Sequence, residues 1–281
     1  MTNYFLAKVI GHLPWEFKGR QRIVSYLYPA GSQPPITKVA PLAGTNRYIH
    51  ARSTNHIGWN VLVYGGYERN LVRTMKRLLR SGRRQVALDV GANIGVYSLI
   101  LSELFGRVYS FEPIPEFRKE LSANVRLNGI MNVEVIPLAL GKRSQSAEMA
   151  LMIHHDEPQT ASVHVGDYSF KDSFEWDFRR TEVLSLDQFA ENRSLRSVDY
   201  LKIDTDGSEE DVLLGAVQTL LRFQPIIQIE LVEEAKKWRR DISPAAIADF
   251  LRKHGYTLLD SEGRKHHSSV VNGNYFAVPS Q

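Results

Sequence analysis

The chain has 281 residues, of which 43% are hydrophobic, so it can bury a large core and fits one full α/β domain with an extension. It contains no cysteine, which excludes disulfides, zinc–thiolate sites and thiol nucleophiles. With 35 basic against 31 acidic residues the formal net charge is +4, and no apolar run approaches the ~20 residues of a membrane span. We therefore expect a cytoplasmic protein without a cleaved leader or a membrane span.

The first part of the chain differs in character from the rest. Residues 1–66 are rich in glycine, proline and aromatic residues and show little sustained periodicity. The segment from Pro29 to Pro41 is interpreted as an irregular arm. From Tyr67 the hydrophobic pattern becomes regular. We therefore predict an N-terminal extension over residues 1–66 and one domain over 67–281.

Short apolar runs alternate with helical patterns in the second part of the chain. The runs predict seven strands, over residues 85–90, 107–112, 133–140, 198–204, 225–231, 256–260 and 274–278. The intervening patterns predict helices over residues 71–81, 94–104, 115–128, 208–221 and 243–254. Strands that alternate with helices indicate an α/β fold with a mostly parallel sheet and helices on both faces. The last two strands have no helix between them, so one of them should be antiparallel.

The alternation lapses over residues 146–181. This segment begins with a strand pattern and continues with a polar stretch that contains His154, His155 and His164. A long irregular segment inside a compact domain is more often a binding loop than filler. We therefore predict that residues 146–181 form a lid over a substrate, with plain surface decoration as the alternative.

A glycine-rich turn, Asp89-Val90-Gly91-Ala92-Asn93-Ile94-Gly95, follows the first predicted strand and opens a helix. Gly91 and Gly95 allow the backbone to turn tightly and approach a ligand, and the helix amino terminus offers free N–H groups. A dinucleotide fingerprint would need glycine where Asn93 and Val96 stand, and the lysine of a phosphate-binding loop is absent. The turn favours a ligand without a pyrophosphate to cradle. The alternative is a tight turn with no binding function.

The second predicted strand ends in Phe111-Glu112-Pro113. An acidic residue about 20 residues after the glycine turn lies where ribose hydroxyls are held in nucleoside-binding folds of this kind. The carboxylate of Glu112 can accept hydrogen bonds from two such hydroxyls. We therefore predict that Glu112 binds a ribose, with Pro113 beside it.

The fourth predicted strand ends at Asp204. Because ligands in open α/β sheets bind at the carboxyl ends of the strands, Asp204 should face both a cofactor and a substrate. Glu230 ends the neighbouring strand, so the two carboxylates could lie together and raise each other's proton affinity. Ser208 is predicted to cap the helix that follows.

Three segments, residues 88–113, 124–141 and 184–230, together resemble the FkbM family of S-adenosylmethionine-dependent methyltransferases. The family's Asp-Val-Glu-Gly-Ala-Glu motif stands here as Asp204-Thr205-Asp206-Gly207-Ser208-Glu209. The change from glutamate to Asp206 shortens one acid by a methylene and keeps its charge. The resemblance runs from Tyr67 to Val278 and leaves residues 1–66 uncovered.

The resemblance implies a class I methyltransferase fold, Rossmann-like with a seven-stranded sheet, that uses S-adenosyl-L-methionine for O-methylation of a saccharide or a glycosylated secondary metabolite. It implies that the glycine turn lines the methionine part, that Glu112 holds the ribose and that the backbone of Ala139 and Leu140 flanks adenine. Glu68, in Gly66-Tyr67-Glu68, matches a further position before the core. The predicted cofactor-binding residues are Glu68, Asp89, Gly91, Ala92, Asn93, Gly95, Glu112, Pro113, Ala139, Leu140 and Asp204.

Methylation of a hydroxyl also needs a group that takes its proton. Asp204 is the first candidate, because its position follows from the strand order, and Glu230 is the second. His154, His155 and His164 are closer to the ideal pKa at neutral pH, but their positions depend on the lid. In a competing interpretation, Asp204 binds the amino group of the methionine part. No obligatory metal is expected, because the spacing of the nearby acids is not that of a calcium loop.

The partner is expected to be a small molecule or saccharide. The stretch from Arg47 to Arg84 holds nine basic residues and one acid, which leaves an RNA or protein methyltransferase as an alternative. No recognition module with interleaved aromatic and basic residues accompanies this stretch, so nucleic acid is not the expected partner. A nucleoside-binding protein without catalysis and an enzyme with other chemistry are the remaining alternatives.

Overall fold

The computed structural model describes residues 2–13, 19–29, 35–154, 157–164, 175–231, 243–266 and 272–280. The helices are α1 (Thr2–Gly11), α2 (Arg20–Leu27), α3 (His56–Tyr64), α4 (Arg69–Leu78), α5 (Val96–Ser102), α6 (Pro115–Leu127), α7 (Leu186–Asn192), α8 (Glu209–Leu214), α9 (Val217–Phe223) and α10 (Pro244–Lys253). The strands are β1 (Thr37–Leu42), β2 (Arg47–Arg52), β3 (Val86–Val90), β4 (Arg107–Phe111), β5 (Val133–Ile136), β6 (Ala139–Leu140), β7 (Gln145–His154), β8 (Glu157–His164), β9 (Glu175–Leu184), β10 (Tyr200–Ile203), β11 (Ile226–Leu231), β12 (Tyr256–Leu259) and β13 (Gly273–Pro279).

The central sheet has seven strands in the order β12-β13-β11-β10-β3-β4-β5 among the described residues. Neighbouring strands are parallel except β13, which is antiparallel to both β11 and β12. The predicted α/β fold with a mostly parallel seven-stranded sheet is therefore confirmed, and so is the prediction that one of the last two strands is antiparallel. The strand order reverses between β3 and β10, and a ligand site is expected beside their carboxyl ends.

The central strands are buried on both faces. All four residues of β10 are buried, and so are four of the five residues of β3. Continuous burial of short apolar runs is typical of a parallel sheet that helices cover on both sides. A charged side chain on one of these strands is therefore buried and needs a partner of opposite charge or a hydrogen bond.

Two predicted elements are divided in the structure. The predicted strand 133–140 ends at Ile136, and β6 leaves the central sheet to pair with β9. The predicted helix 208–221 is interrupted at Gly215 between α8 and α9. A Cβ atom on Gly215 would lie 2.0 Å from the carbonyl oxygen of Gly141, so the backbones meet directly there and the helix is interrupted.

The predicted lid contains regular structure. Its described residues include β7, β8 and most of β9, which together with β6 form a four-stranded sheet in the order β6-β9-β7-β8. The strand pattern expected at the start of the segment is confirmed by β7, whereas the irregular stretch expected after it is wrong for β8 and β9, because each pairs with β7. Met149 and Leu151 of β7 are buried in the main core, so this second sheet is anchored to the domain. Its role as a lid stays a prediction.

The N-terminal residues pack on the domain. Strand β1 covers most of the second half of the predicted irregular arm, where it pairs with β2. Leu42, Ile49 and Leu62 belong to the main core. Trp59 and Val63 of α3 form a smaller cluster with buried residues of α1 and α2. The extension therefore provides a layer of side chains beside the sheet. No helix in the described part of the chain is both long and apolar enough to cross a bilayer.

Several cations of the basic stretch make contacts within the fold. Arg47 pairs with Glu103 and Arg52 with Glu120, each at 3.4 Å. Lys76 donates from Nζ to the carbonyl oxygen of Gly44 at 2.6 Å. These contacts fasten β2 and α4 to neighbouring segments, which favours a structural interpretation of these residues.

Candidate functional site

The loop after β3 turns sharply because its residues adopt left-handed backbone conformations. Gly91 has φ 77°, and a Cβ atom there would lie 1.8 Å from the carbonyl oxygen of Asp204. Asn93 has φ 49°, which asparagine tolerates better than most residues, and its Oδ1 accepts a hydrogen bond from the backbone N–H of Ile94 at 2.8 Å. The loop therefore lies directly against the end of β10, with no space for a side chain at position 91.

Glu112 lies just after β4 and is 3% exposed. Its Oε2 accepts a hydrogen bond from the backbone N–H of Asn93, and its Oε1 accepts one from Ile114, each at 2.8 Å. Burial raises the pKa of Glu112 to about 7, although these two hydrogen bonds oppose the shift. Each carboxylate oxygen has further acceptor capacity, so Glu112 can still bind ligand hydroxyls.

These residues line an open cleft, whose empty space of ≈ 530 Å³ includes the solvent at its mouth. The predicted cofactor residues that line it are Gly91, Asn93, Glu112, Pro113, Ala139, Leu140 and Asp204. An apolar wall is added by Ile114, Phe117, Leu138 and Met149. The cleft therefore combines a buried acid, a tight backbone turn and an apolar surface, which together can hold a nucleoside.

The other predicted cofactor residues lie away from this cleft. Asp89 is fully buried and accepts a hydrogen bond from Ser98 Oγ at 2.6 Å. A Cβ atom on Gly95 would lie 2.3 Å from Leu121 Cδ1, so the missing side chain allows α5 to pack on α6. Ala92 belongs to the main core. The structure places these three residues around the base of the loop, and Glu68 lines a separate cavity.

A buried lysine that the sequence analysis did not assign lies at the end of β10. Lys202 is 3% exposed and is in register with Asp89 of β3 and Gln228 of β11. Its Nζ lies 2.9 Å from Asp204 Oδ2 and 3.9 Å from Asp89 Oδ1. Burial alone would lower the pKa of Lys202, but the two carboxylates raise it above the ordinary value. Lys202 is therefore a fixed positive charge below the cleft.

Asp204 and Glu230 share a hydrogen bond and differ in charge. Burial opposes the ionisation of Asp204, but Lys202 beside it holds the pKa of Asp204 below its ordinary value. Burial and the charge of Asp204 raise the pKa of Glu230 to about 9. At neutral pH Asp204 is therefore ionised, and Glu230 is protonated and donates the shared hydrogen bond. The expectation that each carboxylate raises the proton affinity of the other is wrong for Asp204, because Lys202 and the hydrogen bond from Glu230 both lower the pKa of Asp204.

A chain of hydrogen bonds runs from the central sheet to Glu68. Tyr200 OH donates to Gln228 Oε1 at 2.5 Å, and Gln228 Nε2 donates to Tyr97 OH at 2.8 Å. Tyr97 OH in turn donates to Glu68 Oε2 at 2.8 Å. Burial and the nearby charge of Asp204 raise the pKa of Glu68. Each group in this series donates its hydrogen bond towards Glu68. The last hydrogen bond, from Tyr97, holds the Glu68 carboxylate in place.

Glu209 organises the loop that follows β10. Its Oε1 accepts hydrogen bonds from the backbone N–H of Thr205 at 2.9 Å, from Thr205 Oγ1 at 3.0 Å and from the backbone N–H of Gly207 at 3.1 Å. The predicted capping by Ser208 is wrong, because its side chain makes no capping hydrogen bond to α8. Glu209 is the residue that binds the loop donors, and it thereby fixes the backbone just after Asp204.

The two predicted lid histidines within the described strands lie far apart along those strands. His154 ends β7 and His164 ends β8, whereas His155 lies outside the described residues. In the antiparallel pair, His164 is opposite Glu148, six residues from His154 along β7. At ~3.3 Å per residue the two positions are about 20 Å apart along the strands. The described histidine positions are therefore at opposite ends of the β7–β8 hairpin.

The acids near the cleft do not converge in the way a metal site requires. Within the described ranges, no group of three or more acid, histidine or cysteine side chains is placed to hold a metal ion. Asp204 is paired with Lys202, and Glu209 binds its own loop. That catalysis needs no metal stays a prediction.

Among known proteins, two relatives with similar sequences differ widely in length. The antimetabolite synthetase AmbE of Pseudomonas aeruginosa is 30% identical over 205 residues, which cover 62% of this chain and 10% of AmbE. The hexuronic acid methyltransferase AglP of Haloferax volcanii is 26% identical over 217 residues, which cover 76% of this chain and 83% of AglP. The chain thus spans only a small part of AmbE and most of AglP.

A solved structure and a family profile complete the comparison. The FkbM methyltransferase of Methylobacillus flagellatus aligns with 99% of this chain and 59% of its own length, at a TM-score of 0.48 and 14% identity. The profile of the methyltransferase FkbM domain matches residues 89–258, which is more than half of the chain. The glycine turn, Glu112, Lys202, Asp204 and Glu230 all lie inside this match. The protein is therefore an enzyme that belongs to the FkbM family of methyltransferases.

Proposed function

We propose that the protein is an S-adenosylmethionine-dependent O-methyltransferase that acts on a hydroxyl of a saccharide or a glycosylated metabolite. The observation that carries the proposal is the cleft at the reversal of strand order, where buried Glu112 lies beside the glycine turn and an apolar wall. The relative AglP is named as a hexuronic acid methyltransferase, which supports a sugar-like acceptor.

The residues of the cleft fit the parts of this cofactor. Glu112 would accept hydrogen bonds from the ribose hydroxyls, and Phe117 and Leu140 would pack against adenine. The methionine part would follow the backbone at Gly91, which lines the cleft beside Asp204. S-adenosylmethionine supplies a methyl group on a positively charged sulfur, which is already activated for transfer. The ionised Asp204 places a negative charge at that end of the cleft and so favours a cation there.

In this proposal Asp204 takes the proton of the acceptor hydroxyl. A hydroxyl oxygen that forms a third bond becomes strongly acidic, so even a carboxylate with a lowered pKa can accept its proton. The Asp204 side chain is 24% exposed and lines the cleft. The ion pair with Lys202 and the hydrogen bond with Glu230 fix its position. In the competing role, Asp204 uses the same negative charge to bind the methionine amino group. Measuring turnover and cofactor affinity separately distinguishes the two roles.

Glu112→Ala should weaken the binding of S-adenosylhomocysteine, the reaction product, by about 2–4 kcal/mol, because two charge-assisted hydrogen bonds to the ribose are lost. Isothermal titration calorimetry measures this change. Glu191→Ala, which removes an exposed carboxylate on α7, is the matched control and should bind as the wild type does. Unchanged affinity in Glu112→Ala would remove Glu112 from the site. Tighter binding of NAD than of S-adenosylhomocysteine would overturn the proposed function.

The affinity for S-adenosylhomocysteine should also depend on pH near neutrality. The pKa of Glu112 is about 7 in the free protein, and hydrogen bonds from ribose hydroxyls favour the ionised form and lower it. Binding therefore requires loss of a proton below pH 7, so the affinity should be full above pH 7 and weaken by up to about tenfold per pH unit below it. Calorimetry between pH 6 and 8 in buffers of different ionisation enthalpy would detect the released proton. A flat profile would contradict the assignment.

A further inference from the structure

A second cavity lies beside the reacting end of the cleft. It is open to solvent, its empty space of ≈ 1170 Å³ includes part of that solvent, and its polar lining includes Arg20, Asn60, Tyr64, Glu68, Arg69 and Asn70. Among the described residues, its lining does not overlap that of the nucleoside cleft. The second cavity is therefore a separate space, formed largely by helices α2 and α3 of the extension and by the start of α4.

Glu68 connects the second cavity to Asp204. Its backbone has φ 46° at the N-cap of α4, a left-handed conformation that costs a non-glycine residue free energy. The hydrogen bond from Tyr97 fixes its carboxylate, and the charges of Asp204 and Lys202 are close enough to shift its pKa. A ligand that reaches Glu68 from the second cavity is therefore close to the end of the cleft where methyl transfer is proposed.

The second cavity offers positive charge and amide groups. Arg20 is held with its guanidinium 5.6 Å from the ring centre of Tyr64. Arg69 is exposed, and no ion pair joins it to another residue in the part of the chain that the structure describes. Asn60 donates its amide N–H to the carbonyl oxygen of His56, so its amide oxygen can still accept a hydrogen bond from a ligand. Asn70 accepts a hydrogen bond from Arg73 at its amide oxygen, so its amide N–H can still donate one. Guanidinium groups bind carboxylates and phosphates, and amides bind hydroxyls.

We propose that the second cavity binds the methyl acceptor, and that the acceptor is a polyhydroxylated molecule with an anionic group. The guanidinium of Arg69 binds the anionic group, with Arg20 adding positive charge. The Glu68 carboxylate accepts a hydrogen bond from a hydroxyl and so directs the sugar ring towards Asp204. The inference rests on the proposed function and specifies its substrate class as acidic saccharides, which include uronates and sugar phosphates.

The test uses ligand-detected NMR titrations of the full chain saturated with S-adenosylhomocysteine. The probes are D-glucuronate, D-glucose 6-phosphate and neutral D-glucose. At least one anionic probe should bind about tenfold more tightly than glucose, and Arg69→Ala should remove that advantage. Whether glucuronate or the phosphate binds better identifies the anionic group. Arg69→Lys, which keeps the charge and loses the forked geometry, should retain part of the advantage.

Arg80→Ala is the matched control, because it removes an exposed arginine at the end of α4 outside the second cavity. The inference is overturned if glucose binds as tightly as both anionic probes. It is also overturned if Arg69→Ala changes their binding no more than Arg80→Ala does, or if the probes displace S-adenosylhomocysteine. Calorimetry of S-adenosylhomocysteine alone tests the proposed function separately, since Arg69 does not line the nucleoside cleft among the described residues.

Discussion

Asp204→Asn should lower turnover by about 10²–10⁴ and leave the affinity for S-adenosylhomocysteine within a few-fold of the wild type. The amide has nearly the same shape as the carboxylate but cannot take the proton of the acceptor hydroxyl. The substitution also removes the charge that Lys202 stabilises, although the amide oxygen can still accept a hydrogen bond from Nζ. Formation of S-adenosylhomocysteine with a saccharide acceptor, measured at saturating concentrations, gives the turnover.

Asp249→Asn makes the same chemical change on the exposed surface of α10, where Asp249 pairs with Arg252, and it should leave turnover unchanged. A different result would assign Asp204 to binding: if the affinity for S-adenosylmethionine collapses while turnover at saturation survives, Asp204 holds the methionine amino group. Because the described histidines are at opposite ends of the β7–β8 hairpin, a histidine base would then have to be sought by single substitutions at positions 154, 155 and 164.

Lys202→Met should reduce the free energy of unfolding by about 3–5 kcal/mol near pH 8, because it leaves buried carboxylates without their counter-charge. Methionine fills a similar volume, so the change removes mainly the charge. Asp89 is fully buried, and Asp204 loses its 2.9 Å partner. Urea denaturation followed by circular dichroism measures the loss. Lys253→Met, on the exposed face of α10, is the matched control and should change the stability by less than about 0.5 kcal/mol.

The pH dependence of this loss identifies its electrostatic origin. In the wild type the pKa of Asp204 is lowered, so its ionisation adds stability above its unfolded pKa, and that stability is lost as the pH falls through the folded value. Without Lys202, burial raises the pKa of Asp204 and Asp89, and both carboxyls can bind protons at mildly acidic pH. The deficit of Lys202→Met should therefore be smaller at pH 5 than at pH 8. An equal deficit at both values would indicate a packing defect instead.

Much of the fold could be predicted from residue patterns because buried parallel strands form short, dense apolar runs. The strands that end near Glu112, Asp204 and Glu230 are recognisable in this way, and the topology then brings their ends to one edge of the sheet. The pairing of Lys202 with Asp204 could be predicted by the same reasoning, because side chains alternate along a strand and these two residues share a face. The importance of Lys202 depends on strand register, which sets Asp89 beside it and is not visible in one strand alone.

The features that could not be predicted depend on contacts between distant segments. The histidines of the predicted lid are close in sequence, but hairpin pairing separates His154 from His164. The second cavity draws on helices of the extension, whose short amphipathic segments show no clear period. Glu68 was noticed only through the family resemblance. Its bond to Tyr97 and its left-handed backbone are tertiary properties.

The position of the second cavity along the chain has an evolutionary consequence. Its lining comes from residues 19–71 and from Ser261, all outside the matched FkbM domain at residues 89–258, whereas the nucleoside cleft is lined from within that domain. If the cavity binds the acceptor, substrate choice and methyl-donor chemistry are encoded by separate stretches of the gene. An exchange of the leading segment between relatives would then redirect the enzyme to another sugar without altering the catalytic module.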